Sequence, residues 1–286
     1  MTPYAKRKID VTINLGQGQF GDDKGTDVTL TGHRISAAFV YLGGVSQAEA
    51  QIRIYGMTLA MINQLTGQGL HATEQRRNTI LVAAGEEGAM SIVYQGEIRF
   101  AYGDFSAAPE VVFNIIAQAA TVTAVKPVGA RSYPGSVDAA VMMKNIADTA
   151  GLGFENSRKL SVMLINQYLP GTALQQIKDV AKAANINYSI EYGKLVICPK
   201  DGYRELGDPI EISAATGMAG YPSFASQGIS VTTRFNPDLV LNRKVKIIST
   251  LTPANGTWPI TTVAHSLESE TPDGQWFSHV NCNREK

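Results

Sequence analysis

Ile9-Asp10-Val11-Thr12-Ile13-Asn14-Leu15 alternates apolar and polar side chains without a break. Successive side chains of a strand point to opposite faces, so this period of two marks a half-buried β-strand. The neighbouring sequence has the same texture. A Gly/Asp loop over Gly16–Gly25 leads to a second extended run, Val28–Val40, and Gln51–Gly56 supplies a third. Met57, Met61 and Leu65 recur at intervals of four, which predicts a short helix stopped by Gly67. Strands then resume at Thr79–Gly85 and Met90–Phe100. Short strands, glycine-rich turns and one interposed helix suggest a small barrel or sandwich.

The segment Pro109–Val128 reads as two more strands, Val111–Ala117 and Thr121–Val125, and then the pattern changes. Ser136 is placed to cap a helix whose apolar face is Val137, Val141, Met142, Ile146 and Ala150, closed by Gly151. Beyond Tyr168-Leu169-Pro170-Gly171, Thr172 and Gln175 have capping-box spacing, in which each side chain bonds the other's free backbone N–H. Leu174, Ile177, Ala181 and Ala184 form one helical face, with Asn185 suited to a left-handed end. A hairpin follows over Asn187–Cys198, turning at Gly193-Lys194. These elements describe a compact α/β unit whose helices need the hairpin to bury against.

From Gly217 the period of two returns. Ile229–Phe235, Val245–Ile248, Trp258–His265 and Trp276–Val280 read as strands, separated by turns at Asn236-Pro237-Asp238, Asn255-Gly256 and Asp273-Gly274. Four strands are few for a barrel, and adding those near 110–125 makes six. The expected fold is therefore α+β and mainly β, with two β-barrels, the second interrupted by a small α/β insertion. The expected boundaries are 1–108 for the first barrel with its short helix, 109–128 plus 209–286 for the second, and 129–208 for the insertion.

Among the 286 residues, 25 Lys and Arg balance 25 Asp and Glu, and only 17% are charged, against about 25% in an average domain. Sequence-independent DNA binding needs clustered cations to displace counterions. The short runs Lys6-Arg7-Lys8, Arg76-Arg77 and Arg243–Lys246 suit solvated edges better. A neutral, weakly charged surface favours association. Cys198 and Cys282 form neither a disulfide framework nor a CxxC pair, which fits a reduced folding compartment. The basic N-terminus runs directly into a strand and has no signal-peptide core, and no stretch approaches the roughly 18 apolar residues of a membrane span.

The chemical motifs are thin. Gly16-Gln17-Gly18-Gln19-Phe20-Gly21 matches GxGxxG after a strand, but a dinucleotide site needs that loop to open a helix. Here it runs into Asp22-Asp23 and another strand. His33, His71, His265 and His279 are scattered, though the last two lie on strands that could face each other across a hairpin. No Gly-x-Ser-x-Gly elbow occurs, and Ser223 lacks the flanking glycines. Glycoside hydrolysis needs two carboxylates in a cleft, whereas Glu86, Glu87, Glu268, Glu270 and Asp273 all sit in solvated turns. Trp258 and Trp276 could stack on sugar but fit a barrel core or a subunit contact better. The expectation is no catalytic, cofactor or metal site.

One resemblance covers roughly residues 105–286. Gly217-Met218-Ala219-Gly220-Tyr221-Pro222, Phe235-Asn236-Pro237, Val245-Lys246-Ile247, Asn255-Gly256-Thr257-Trp258, His265 and Pro272-Asp273-Gly274-Gln275-Trp276 occur in order. Tyr168–Thr172 and Leu195–Pro199 precede them. This series resembles the baseplate hub family of long-tailed bacteriophages, tail-tube-like double-barrel proteins of the late-control-D type. The resemblance implies structural roles for Gly217, Tyr221, Pro222, Phe235, Asn236, Pro237, Asn255, Gly256, Trp258, His265, Gly274 and Trp276. It also implies a homotrimer whose six barrels make a pseudo-sixfold ring between a hexameric tail tube (or distal tail protein) and a trimeric central spike. Such a ring would contact other baseplate subunits and pass tape measure protein, and DNA only in transit. Its place would be the virion tail, after assembly in the host bacterial cytoplasm. A hub or spike base of a contractile bacteriocin or type VI-like machine would share the fold, and a peptidoglycan hydrolase is the enzymatic alternative.

Overall fold

The computed structural model describes residues 6–16, 18–20, 25–43, 46–66, 78–120, 123, 127–200, 202–226 and 228–283. It is mainly β and divides into two units. The first comprises residues 1–40, 49–119 and 264–277, and the second 41–48, 120–263 and 278–286.

In the first unit, β1 (Arg7–Asn14) carries the alternation of the opening sequence. Ile9, Val11 and Ile13 are buried and pair with Ala84, Val82 and Ile80 of β5 (Thr79–Glu86). On its other side β1 pairs with β2 (Asp27–Leu30). The run expected over Val28–Val40 is split at Gly32 into β2 and β3 (Ile35–Leu42). β3 pairs with β4 (Glu49–Tyr55), and β6 (Ala89–Asp104) pairs with β5. Phe39 and Tyr94 stack with ring centroids 5.6 Å apart and form the aromatic centre of this core. Helix α1 (Leu59–Leu65) is capped by Thr58 and buries Ile62 and Leu65. Its expected stop, Gly67, lies outside the described residues.

β7 (Val112–Gln118) departs from expectation. It lies between β4 and β6, with Phe113 opposite Ile54 and Ile115 opposite Ile52 and Ala101, so it belongs to the first unit. Alternation marks a strand but does not say which sheet it joins. The expected companion strand at Thr121–Val125 falls almost wholly outside the described residues. The tip of the last hairpin also packs in the first unit, where Ser269 Oγ donates to His33 O at 3.2 Å and Lys6 pairs with Glu270 at 2.6 Å.

The second unit has strands that the sequence reading passed over. Following the helices described below, β13 (Ile210–Ser213) pairs in parallel with β16 (Lys244–Ile248), and β14 (Met218–Ala225) pairs with β15 (Gly228–Arg234). β16 pairs with the first residues of β17 (Gly256–Ser269), and β18 (Trp276–Asn283) lies between β15 and β17 in the sheet order. With β13 and β14, this set reaches six strands without borrowing from residues 110–125.

The α/β part has its own apolar core, made of residues between Val128 and Ile197. Helix α2 (Ala139–Ala150) is capped by Asp138, whose carboxylate accepts from Ala140 N at 2.8 Å. Ser136 is instead in β8 (Arg131–Asp138), paired with β10 (Met163–Leu169). The buried face of α2 is Ala139, Met142, Met143, Ile146 and Ala147, while Val141 is half exposed. Gly151 ends the helix at φ 71°, as expected. Helix α3 (Ala173–Ala184) begins with half a capping box. Thr172 accepts from Gln175 N at 3.2 Å, but the Gln175 amide turns forward to Asp179. Asn185 closes α3 in the left-handed region. β11 (Ile186–Glu191) and β12 (Lys194–Pro199) form the hairpin, turning at Tyr192-Gly193, both at positive φ. β9 (Gly153–Glu155) adds a parallel third strand.

Candidate functional site

The residues of the ordered motif series are mostly turn and packing devices. Gly217 lies at φ 109° beside the Arg234 side chain, and its N–H bonds to Ser213 O at 3.1 Å where β13 turns into β14. Asn236 Oδ1 accepts from Asp238 N at 2.9 Å, an Asx turn, and Ser278 Oγ accepts from Asn236 N at 3.1 Å. Phe235, Asn236 and Pro237 line an open cavity of about 320 Å³ with Ile210, Ile212 and Leu239. Asn255 Oδ1 accepts from Ser249 N at 2.6 Å, and Gly256 starts β17. The Trp258 indole N–H donates to Ala254 O at 2.9 Å across a 3₁₀ turn (Thr252–Ala254) that replaces the expected tight Asn-Gly turn. Trp276 is buried with the Arg7 guanidinium 5.6 Å above its ring. Gly274 sits so close to Glu268 that a Cβ would fall 2.9 Å from that side chain. His265 is fully buried.

The remaining chemical candidates do not converge. His279 Nδ1 is 2.9 Å from Thr232 Oγ1, and His33 Nδ1 is 2.9 Å from Tyr55 O; His71 lies outside the described residues. Among the described residues no three His, Cys, Asp or Glu side chains group to hold a metal. Glu87 pairs with Lys8, whose ammonium holds its carboxyl below the ordinary value, and Glu268 accepts from Gln275 N at 3.0 Å. Of the glycine-rich loop, Gly16 and Gly18 are described and Phe20 N bonds to Gly25 O at 2.8 Å, while Gly21 lies outside the described residues. No helix among the described residues is long and apolar enough to cross a membrane.

Two features were not foreseen. The first is a buried charge cluster on the second face of the β11–β12 sheet. Tyr188, Leu195 and Ile197 face the helices, as the alternation implies, but Ser189, Glu191, Val196 and Cys198 on the opposite face are buried too. The Arg204 guanidinium meets both Glu155 oxygens at 2.9 Å and Glu191 Oε2 at 3.0 Å. Ser189 Oγ bonds the other Glu191 oxygen at 2.5 Å. Burial pushes the Glu191 carboxyl up more than Arg204 draws it down. Tyr203, next in the chain, is held between Arg158 at 4.3 Å and Lys244 at 3.4 Å. The acid–base spacing was invisible because its members lie up to 49 residues apart.

The second feature is apolar surface. Among the described residues β14 is flanked only by β15 in the sheet order, and it exposes Tyr221 (70%) and Phe224 (56%) while burying Pro222. The outer face of the β8–β10 pair presents Met163, Ile165 and Tyr168, the last two about two-thirds exposed. Exposed apolar groups on strand edges and two-stranded sheets mark contact surfaces.

This architecture is that of a phage tail protein. It is similar to the 43 kDa tail protein of prophage MuSo2 from Shewanella oneidensis (TM-score 0.62, 10% identity, 96% of this chain and 97% of that one). It is likewise similar to the tail protein of Neisseria meningitidis MC58 (0.64, 10%, 97% and 97%). An Escherichia coli protein, c3393, described as a component of the type VI secretion system similar to the T4 tail proteins gp27 and gp5, also matches (0.58, 9%, 88% and 74%). A comparison with curated protein sequences finds no match. The profile of the Baseplate hub gp41 family matches residues 8–282, so the chain belongs to that family and serves as a structural component of the phage tail baseplate.

Proposed function

We propose that the protein is the non-enzymatic hub ring of the baseplate, a homotrimer that joins the hexameric tail tube to the trimeric central spike. In this reading each subunit contributes two barrel-like strand sets with the α/β unit inserted in the second, and the ring's lumen conducts tape measure protein and then DNA. The subunits assemble in the bacterial cytoplasm and remain in the virion tail. The observation that carries the reading is the match to the baseplate hub family over nearly the whole chain. The exposed aromatics of β14 support it, since a strand with one neighbour among the described residues and two exposed rings is a hazard for a monomer and an asset in a ring of copies. The test is solution mass combined with negative-stain imaging. Threefold rings with a central hole are expected, alone or on adding the spike protein. A monomer under both conditions, or one that clears peptidoglycan, would overturn the reading.

The likeness to c3393 favours a second reading, a spike-base component of a type VI-like injection machine. Particles purified from the producing cells separate the two: heads filled with DNA support the phage tail, and headless contractile particles support the injection machine.

A further inference from the structure

The residues from Gly202 to Leu206 form a strap across the outer face of the β11–β12–β9 sheet. Its backbone is tied to the strand-rich part of the second unit, with Arg204 N bonded to Asn242 O at 2.7 Å and Leu206 O accepting from Arg243 at 3.4 Å. It reaches the α/β part through Arg204 to Glu155 and Glu191 and through Glu205 N to Ser157 Oγ at 3.1 Å, while the Arg204 guanidinium also donates to Leu241 O at 3.4 Å, so the strap bonds both parts. The joint thus contains two carboxylates and one guanidinium, and the Glu191 and Arg204 side chains are only 3% and 7% exposed. With both acids ionised the cluster carries one negative charge more than Arg204 offsets; Glu155, 24% exposed, keeps some water, but the buried Glu191 has little, so its ionisation is costly. The surrounding titratable and charged groups do not remove it. Lys194, cross-strand from Glu191, is exposed to solvent, and Arg158 and Lys244 lie over the ring of Tyr203. Tyr192, against Tyr41, and Cys198 are each pushed up to about 12 by burial and stay neutral, and Asp238 adds further negative charge near Tyr192. A seat for one proton exists. Glu191 Oε1 meets the Ser189 hydroxyl, which can reverse its role and accept, while Oε2 keeps its bond from Arg204.

We propose that this joint is a proton-gated latch, closed while the Glu155–Arg204–Glu191 cluster holds one proton and loosened when it is lost. The sign follows from linkage. A carboxyl whose folded value is raised favours the closed form below that value and disfavours it as pH climbs through it. The latch therefore loosens as pH rises, opposite in sign to ordinary acid unfolding.

Cys198 is the reporter. It is buried on the same sheet face as Glu191. In the full chain carrying Cys282→Ala, Cys198 is labelled with a neutral thiol reagent from pH 5 to 9, with and without Glu191→Gln. Taking the ratio of the two rates at each pH cancels the reagent's own pH dependence. The wild-type cluster should label increasingly faster than the Gln variant as pH rises, by up to about 10-fold per unit while the closed cluster keeps its proton and the opened one has lost it, and the ratio should level off once the closed cluster is deprotonated too. Glu155→Gln should flatten the profile in the same way, and Glu205→Gln should leave it unchanged. Should Glu191→Gln fail to fold, Glu155→Gln alone decides. A ratio constant across the range, or one that grows toward acid, overturns the latch.

Discussion

Replacing Arg204 with Met removes the guanidinium but keeps most of the side-chain volume, so the change is electrostatic. What remains is Glu191, with a side chain 3% exposed, and Glu155, 24% exposed, facing each other without a counter-ion. Breaking a buried ion pair from one side costs about 3–5 kcal/mol. Because Glu155 retains some water, the lower end, about 3 kcal/mol, is expected. At about 2–4 °C per kcal/mol for domains of this size, the second unit should melt roughly 6–12 °C earlier. The two tryptophans make the assay specific, since Trp258 belongs to the second unit and Trp276 to the first. Urea titrations followed by fluorescence in Trp276→Phe and Trp258→Phe backgrounds report each unit separately. Arg204→Met should move the Trp258 transition and leave that of Trp276 nearly in place. Adding Glu191→Gln should recover part of the loss, because it removes the charge left stranded. A shift of less than about 1 kcal/mol at Trp258, or an equal shift at both probes, would refute the assignment of Arg204 as the internal counter-ion of this unit.

Thr172→Ala should cost about 1 kcal/mol through loss of the α3 cap, measured by chemical denaturation, whereas Gln175→Ala should cost only about 0.2–0.5 kcal/mol because its amide serves Asp179 rather than the cap. Gly228→Ala should leave little folded protein by circular dichroism, since a Cβ there would fall 1.9 Å from the Cys282 carbonyl oxygen and backbone cannot yield as a side chain does. The double change Tyr221→Ser with Phe224→Ser should leave the melting temperature within about 2 °C of the original, because both rings are exposed, yet reduce the ring fraction seen by sedimentation. Unchanged assembly would remove β14 from the subunit contact.

The strands that alternate cleanly were legible from the sequence. Ile9–Leu15, Ile229–Arg234 and the α3 face with its Asn185 terminus needed only the period of their apolar residues. What failed did so for identifiable reasons. β13 is four residues long, β14 buries one residue of eight, and β8 contains Pro134 and Gly135, so none shows a period. β7 alternates well, yet its partners are set by tertiary pairing, to which local periodicity is blind. Ser136 was a chemically sensible cap two residues early; Asp138 took the role because it also receives Val162 N at 3.4 Å, a tertiary contact. Within the ordered motif series, Asn236 forms an Asx turn and Gly217 takes a positive φ, both set by local backbone geometry, whereas the tight turn expected at Asn255-Gly256 is a 3₁₀ turn over Thr252–Ala254. The charge cluster had no local signal at all.

The molecule distributes its groups against the usual tendency in two places. Glu191 and Arg204 are withdrawn from water, with Glu155 at the edge of their cluster, and Tyr221, Phe224, Ile165 and Tyr168 are left in it. Neither arrangement strengthens an isolated subunit: apolar replacements of a buried ion cluster are often as stable or more so, and exposed rings contribute almost nothing to folding. Both make sense where orientation and contact matter more than the stability of one copy. A charge cluster accepts a single arrangement of its partners, so it fixes how the α/β part is held on its strap, whereas an apolar joint of equal size tolerates sliding. The exposed rings then sit on elements whose positions are fixed. In the proposed ring this division lets each copy present its β14 edge in one geometry, so that the contacts repeat identically around the axis and close after three.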